Sequence, residues 1–303
     1  EILPNDAYVG DDGLTLEECA PFGVILAITP VTNPTATVIN NAISMVAAGN
    51  TVVFAPHPAG QNTSLAAMDI LNEAIESAGG PPNLLVAAQE ATIEAAAELM
   101  HHPQINLIVA TGGPAVVDAA LKSGKRAIGA AAGNPPVLVD DTADPVKAAR
   151  DIVLGHSFDN NMPCTSEKEV IVTAGIADAL MAAFRAAGNA CVLDRSRLPE
   201  LERLVLNDKR SGPNRKFIGQ NACVILAEMG IPADEEMRAI IVEVDKDHPF
   251  VRHELMMPVL GVVRVRDFEE GVDTAVEVEA GLRHSAIIHS SNIYHMSEFG
   301  RAI

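Results

Sequence analysis

Four cysteines in 303 residues, none of them in a Cys-x-x-Cys pair, leave the chain without the spacing of a structural zinc site or a disulfide framework. No apolar run reaches the roughly 20 residues that a membrane-spanning helix needs. The first twelve residues are polar and acidic, unlike the basic-then-apolar order of a secretory signal. Basic clusters are scarce: 21 Lys and Arg stand against 40 Asp and Glu, a formal net charge of −19. Only the loose set Lys209, Arg210, Arg215 and Lys216 exceeds a pair. Such a surface repels nucleic acid, and its acidity reads as solubility. No segment is low in complexity, which excludes a disordered or fibrous chain. The expectation is a cytoplasmic, reducing setting, with no membrane, nucleic-acid or metal partner.

What is present is enough apolar material for a sizeable core. Hydrophobic residues make up 48% and charged residues 20%, and the length suggests two domains. Short β-rich runs alternate with helical patterns. Strands are expected at 24–27, 51–55, 84–87, 105–110 and 137–139, and helices at 38–48, 65–78, 92–100, 115–121 and 145–154. Strand, glycine turn, helix, strand is the rhythm of a parallel sheet covered by helices, and largely apolar strands suit a sheet buried on both faces. After a polar loop at 157–166 a second alternating region follows, with strands at 170–172, 240–244, 259–265 and 286–289 and helices at 176–187 and 268–280. A domain boundary is expected near Gly155, giving domains 1–155 and 156–303. There is no internal repeat.

Few residues stand out chemically. Cys164 lies in Asp159-Asn160-Asn161-Met162-Pro163-Cys164-Thr165-Ser166, a loop of small and polar residues between a helix and a strand. A thiol there can be reached by a substrate, and backbone N–H groups of such a loop can hold an oxyanion; a loop cysteine can equally be inert. Cys19, Cys191 and Cys223 sit in or beside apolar runs and read as buried, unreactive thiols. Thr111-Gly112-Gly113 follows an apolar strand and opens a helix, where backbone can approach a phosphate, although many such turns bind nothing. His57, between two prolines, and Glu254, ahead of a strand, read alone as a turn histidine and a solvated carboxylate. His101-His102 precedes Pro103 at a helix end, which suits dipole capping better than a metal.

Taken in order, these pieces resemble a known family. A Thr-Pro…Asn-Pro turn, Ala-Ala-Gly-Asn-Thr-Val-Val, Phe-Ala-Pro-His-Pro, Ala-Thr-Gly-Gly, Gly-Asn-Pro-Pro, Phe-Asp-Asn-Asn-x-x-Cys and Glu-Leu-Met-Met-Pro-Val resemble the aldehyde dehydrogenase superfamily. The Pro-His-Pro, Thr-Gly-Gly, Gly-Asn-Pro-Pro and Phe-Asp-Asn-Asn forms are similar to its CoA-acylating branch, the propionaldehyde and acetaldehyde dehydrogenases of propanediol- and ethanolamine-degrading bacterial microcompartments. The resemblance covers Leu14 to about Ile303. It implies an α/β fold: a doubly wound, Rossmann-like NAD-binding domain and a second α/β domain carrying the catalytic cysteine. It implies Cys164 as nucleophile and Glu254 as the ribose-binding carboxylate. Contacts to NAD fall on Thr29, Pro30, His57, Thr111, Gly112, Gly113 and Val116. An oxyanion donor falls on the turn Pro30-Val31-Thr32-Asn33-Pro34. A gapless match places Thr32 there; Asn33, one step later, is favoured because an amide is the better donor.

One departure carries chemistry. Hydrolytic relatives use a glutamate to activate water against the thioester; at the matching place, in Ile128-Gly129-Ala130-Ala131-Ala132, stands Ala130. Water attacks an acyl-enzyme poorly without a base, whereas a thiol needs less help. The expected reaction is therefore short-chain aldehyde, NAD⁺ and CoA to acyl-CoA and NADH. A hydrolytic enzyme and a catalytically silent nucleotide-binding fragment are the alternatives. The family chain is longer at both ends, so the resemblance implies segments before Glu1 and after Ile303 that complete both domains. It also implies a homo-oligomer, with microcompartment shell or cargo enzymes as partners. His284 and Ser285 lie in a stretch that the branch places near the active site; strand packing is the equal alternative.

Overall fold

The computed structural model describes residues 5–303, in two units that divide between Ala131 and Ala132. The first opens with an antiparallel hairpin of β1 (Asn5–Gly10) and β2 (Gly13–Glu18), turned at Asp11-Asp12. A parallel sheet follows, built from β3 (Val24–Thr29), α1 (Pro34–Ala47), β4 (Thr51–Pro56), α2 (Gln61–Ser77), β5 (Leu85–Ala87), α3 (Ile93–His101), β6 (Leu107–Thr111), α4 (Pro114–Lys122) and β7 (Ala127–Ala130). Its strand order is β5-β4-β3-β6-β7. Alternate residues of β3 enter different cores. Ile25 and Ala27 pack with Val38 and Ala42 of α1 and Met68 of α2; Leu26 and Ile28 pack with Met100 of α3 and Val117 of α4. Both faces are covered, so the strand reads as one apolar run rather than an alternating one. Thr92 caps α3, its hydroxyl accepting from Ala95 N–H at 3.0 Å. His101 lies in the last turn of α3.

The second unit comprises β8 (Pro136–Val139), α5 (Pro145–His156), β9 (Glu169–Thr173), α6 (Ala174–Ala186), β10 (Ala190–Val192), α7 (Leu198–Val205), α8 (Ala222–Glu228), β11 (Ala239–Glu243), α9 (Pro249–Arg252), β12 (Val259–Val265), α10 (Phe268–Glu279), β13 (Ile287–His289) and α11 (Ile293–Ala302). All six strands are parallel, in the order β10-β11-β12-β9-β8-β13. Val170, Val172 and Val262 pack on α5 and α6; Ile171, Val263 and Ile240 pack on the opposite side with α7, α8 and α10. No described helix is long and apolar enough to cross a membrane.

The boundary differs from the expected one near Gly155. β8 pairs with both β9 and β13, and Ala148, Ala149, Ile152 and Val153 of α5 are buried in the same core as β9. A strand and helix that continue the rhythm of the first sheet thus belong to the second, and hydrogen-bond partners, not rhythm, decide it. The sequence reading also passed over the hairpin and β7. Residues of β2 are exposed on both faces, so no apolar alternation marks them. β7 is Ala-Ile-Gly-Ala, which carries no strand signature.

A buried polar clasp joins the entrance of β8 to the rest of the second unit. The Asn134 amide donates to Val251 C=O at 2.9 Å, to Val278 C=O at 3.0 Å and to Glu169 Oε1 at 3.3 Å. Burial holds the Glu169 carboxyl well above the usual carboxylate range, and Lys168 and Arg252 oppose the shift. Asn134→Ala strands two buried carbonyls without a donor. It should cost about 2–4 kcal/mol in urea unfolding; a loss under about 1 kcal/mol would contradict the clasp.

Candidate functional site

The first sheet reverses direction at β3. The chain steps outward from β3 to β4 to β5, then returns to lay β6 on the other side of β3. In an open parallel sheet the crevice at such a reversal, at the carboxyl ends of the strands, is where ligands bind. Thr29 ends β3 and Thr111 ends β6, with Ile28 and Ala110 in register beside them. Thr29 is buried and its hydroxyl has no protein partner among the described residues; Pro30 follows it. His57, at the end of β4, donates its N–H to Thr29 C=O at 3.0 Å, and its Nδ1 accepts from Ala59 N–H at 3.2 Å. Gly112 must be small: a Cβ there would come within 2.9 Å of Val116 Cγ1. Gly113 caps α4 without a side chain. Asn33 begins α1, where its side chain caps no N–H. Its Oδ1 faces the Thr32 and Thr37 hydroxyls, each at 3.3 Å, which leaves Nδ2 without a protein acceptor among the described residues. Ala130 pairs with Thr111 on the same edge and puts only a methyl group there.

The second unit gathers its chemistry at the opposite, amino edge. Four neighbouring strands, β12, β9, β8 and β13, are each entered by a loop with a singled-out residue: Glu254, Cys164, Gly133 and His284. Gly133 lies against two of these loops at once. A Cβ on it would fall 2.8 Å from His284 Cγ and 2.9 Å from Cys164 O, so a side chain would displace the turn that carries the thiol. His284 Nδ1 is 3.1 Å from Ser285 Oγ.

Cys164 sits at the tip of a turn closed by Ser166 N–H to Pro163 C=O at 3.2 Å. Three residues before it, Asp159, Asn160 and Asn161, hold φ of 47°, 51° and 64° in succession. Asn and Asp tolerate this left-handed region better than other side chains, and three in a row need outside support. Asn160 obtains it from Gly219 C=O at 2.9 Å and Asn221 Oδ1 at 2.8 Å. Buried Asn161 bridges the two ends of the loop, donating to His156 C=O and Glu167 C=O, each at 2.9 Å. Fully buried His156 donates Nδ1–H to Glu167 C=O at 2.6 Å.

Lys168 completes the arrangement from beneath. Its ammonium donates to Asn161 C=O at 3.0 Å, Asn161 Oδ1 at 2.9 Å and Pro163 C=O at 3.0 Å, and pairs with Glu254 Oε1 at 3.3 Å. Cys164 and Glu254 thus share one cation. Burial pushes the Cys164 thiol up and the Glu254 carboxylate adds to this; the residue's own N–H and Lys168 pull the other way. Burial lowers Lys168, against Glu254.

Comparison with known proteins identifies the family. A profile described as the aldehyde dehydrogenase family matches residues 1–212. The chain belongs to that family. It is 47% identical to the acetylating acetaldehyde dehydrogenase EutE of Salmonella typhimurium over its whole length, and spans 66% of that relative. Among solved structures it is similar to a Rhodopseudomonas palustris propionaldehyde dehydrogenase with bound CoA and an acylated cysteine (TM-score 0.93, 47% identity, 99% of this chain and 68% of that one). It is also similar to a propionaldehyde dehydrogenase from the fucose-utilisation microcompartment of Clostridium phytofermentans (TM-score 0.94, 48% identity, 99% and 69%). The expected α/β architecture with parallel sheets is that of these aldehyde dehydrogenases.

Within this aldehyde dehydrogenase chain, Thr29, Pro30, His57, Thr111, Gly112 and Gly113 come together at the carboxyl ends of three adjacent strands, with Val116 packed on Gly112. Cys164 and Glu254 come together at the amino edge of the second sheet. Cys19 departs from expectation: it is exposed, because its flanking strand belongs to the two-stranded hairpin, and Cys191 and Cys223 are half-buried. Sequence reasoning missed Lys168, Asn161 and His156. The signal for Lys168 was a lone cation between two acids at the mouth of an otherwise apolar strand.

His156 gives the loop a pH dependence. Burial holds its imidazole down at about 4 against an ordinary 6.5. The unfolded chain therefore binds a proton that the folded chain refuses, and stability falls as pH drops from 6.5 towards 4. Relative to His156→Leu, the parent should lose up to about 3 kcal/mol across that window, with a constant difference above it. A difference independent of pH in unfolding titrations would refute this.

Proposed function

We propose that the chain carries the cofactor and cysteine machinery of a CoA-acylating aldehyde dehydrogenase, converting propionaldehyde or acetaldehyde, NAD⁺ and CoA to acyl-CoA and NADH. The observation that carries the reading is Cys164 at the tip of a turn held on a buried cation, beside Glu254 and His284. The relatives' own descriptions support it: one is named as acetylating, and another holds CoA with an acylated cysteine.

The carboxyl edge of the first sheet fits a dinucleotide. The buried Thr29 hydroxyl lacks a protein partner among the described residues, and the glycine turn leads into a nine-residue helix, α4, whose amino end favours phosphate. Thr29, Pro30, His57, Thr111, Gly112, Gly113 and Val116 would hold the nucleotide, and Glu254 its nicotinamide ribose. When bound, NAD⁺ supplies the hydride acceptor. The chain's residues do the rest. The Cys164 thiolate adds to the aldehyde carbon, and the Asn33 amide and backbone N–H groups hold the oxygen as it gains charge. Collapse of this adduct expels hydride and leaves a thioester on Cys164. The thioester acyl group passes to the CoA sulfur, with His284 taking the thiol proton, and Cys164 leaves as thiolate.

Thioester rather than free acid follows from the first unit's edge. Ala130 offers no base for water, while a CoA thiol ionises far more readily than water. Glu254, the carboxylate coupled to the thiol, is engaged by Lys168. Microcompartment enzymes as partners, work inside such a compartment and a homo-oligomeric state belong to the same proposal, on the strength of the compartment relative.

NADH formation should be sustained with propionaldehyde, NAD⁺ and CoA together, stop after about one turnover without CoA, and vanish in Cys164→Ala. Sustained turnover without CoA would make the enzyme hydrolytic and refute the argument from Ala130. Thermal stabilisation by NAD⁺ without turnover would leave a nucleotide-binding module.

A further inference from the structure

We infer that Lys168 is a positioning residue for the nucleophile: its buried ammonium holds the turn that presents Cys164 and supplies the fixed positive charge that lets the thiolate form beside Glu254. The inference deepens the proposed function and rests on Cys164 being its nucleophile.

The geometry assigns two tasks to one side chain. An ammonium has three N–H bonds, and Lys168 has three oxygen partners at 2.9–3.0 Å, all on the loop that ends in Cys164. They come from Asn161, the last of the three left-handed residues, and from Pro163, immediately before the cysteine. Pro163 C=O also receives Ser166 N–H, the bond that closes the turn. The backbone of Lys168 is anchored too, donating its N–H to Pro135 C=O at 3.0 Å. The clasp therefore ties the left-handed run, the cysteine turn and the entrance of β8 to one residue. Glu254, at 3.3 Å, is the fourth and longest partner, and balances the charge.

Burial makes the charge matter. Lys168 is 3% exposed, and a buried ammonium remains charged only where several oxygens and a counter-ion meet it. Around the thiol, Glu254 opposes ionisation and Lys168 favours it, and His284 lies beside the Cys164 carbonyl. Glu167 and Glu169 flank Lys168 in sequence, and burial raises both carboxyls. Removing Lys168 leaves Glu254 as the uncompensated charge at the thiol. A neutral residue that keeps the loop's shape would still lose thiolate formation, which separates the electrostatic task from the mechanical one.

The test follows alkylation of Cys164 by iodoacetamide against pH, read peptide by peptide by mass spectrometry so that Cys19, Cys191 and Cys223 are scored separately. It needs no aldehyde, nucleotide or CoA, so failure of the proposed activity leaves it intact. Lys168→Gln keeps amide donors and loses the charge. Its Cys164 midpoint should rise by about one pH unit, a roughly tenfold slower reaction below the midpoint, while that of Cys191 stays put. Lys168→Arg should restore the midpoint, and Lys168→Gln with Glu254→Gln should bring it back towards the parent because both charges are gone. Should Lys168→Gln not fold, as a changed Cys191 profile would show, the double variant and Glu254→Gln alone carry the test; the latter should lower the midpoint. The inference is overturned if folded Lys168→Gln titrates as the parent does, or if Glu254→Gln leaves Cys164 unmoved.

Discussion

A loop that holds three consecutive left-handed residues and presents a thiol at its tip has few backbone hydrogen bonds of its own, Asn160 N–H to Ser157 C=O at 3.1 Å and Met162 N–H to Asp159 C=O at 3.0 Å among them, and needs outside support. The buried ammonium of Lys168 supplies what the backbone lacks. Around it the remaining bonds fall into place: the Asn161 amide bridges the two ends of the loop, and neutral His156 donates to the same Glu167 carbonyl. The same cation meets Glu254, so loop shape and thiol ionisation depend on one charge. A reactive cysteine needs both, since it must be accessible in shape and ionisable in its surroundings.

The two units solve different problems with the same architecture. In the first, the residues proposed to hold the nucleotide stand at the carboxyl edge of the sheet, where the chain reverses direction between β3 and β6 beside the start of α4. The second uses its amino edge, where four adjacent strands are entered by loops carrying Gly133, Cys164, Glu254 and His284. Residues more than a hundred positions apart meet there because strand order, β12-β9-β8-β13, is not chain order. Each sheet is covered by helices on both faces, so neither face is left to bind a ligand and function moves to the edges.

Much of this was legible in the amino acids. Apolar runs such as Val24–Thr29 announced buried strands, Thr92 and Pro145 announced helix starts, and the loop around Cys164 stood out for its small and polar residues. The division of the chain was not legible, since β8 and α5 carry the same strand–helix rhythm whichever sheet they join. The hairpin β1–β2 escaped because both its faces are exposed and no alternation results. Lys168 escaped for a related reason: a lysine beside two glutamates reads as a solvated charge, and only the fold shows it buried with four oxygens around it.

The central claim is that the acyl group rests on Cys164 and leaves to a thiol rather than to water. The most direct measurement mixes the protein with propionaldehyde and NAD⁺ without CoA, quenches, and weighs the peptide that contains Cys164. A propionyl group on that cysteine, stable in buffer and removed as propionyl-CoA when CoA is added, is the predicted result. An acyl group on another residue, or loss of the Cys164 adduct to propionate before CoA arrives, would contradict it.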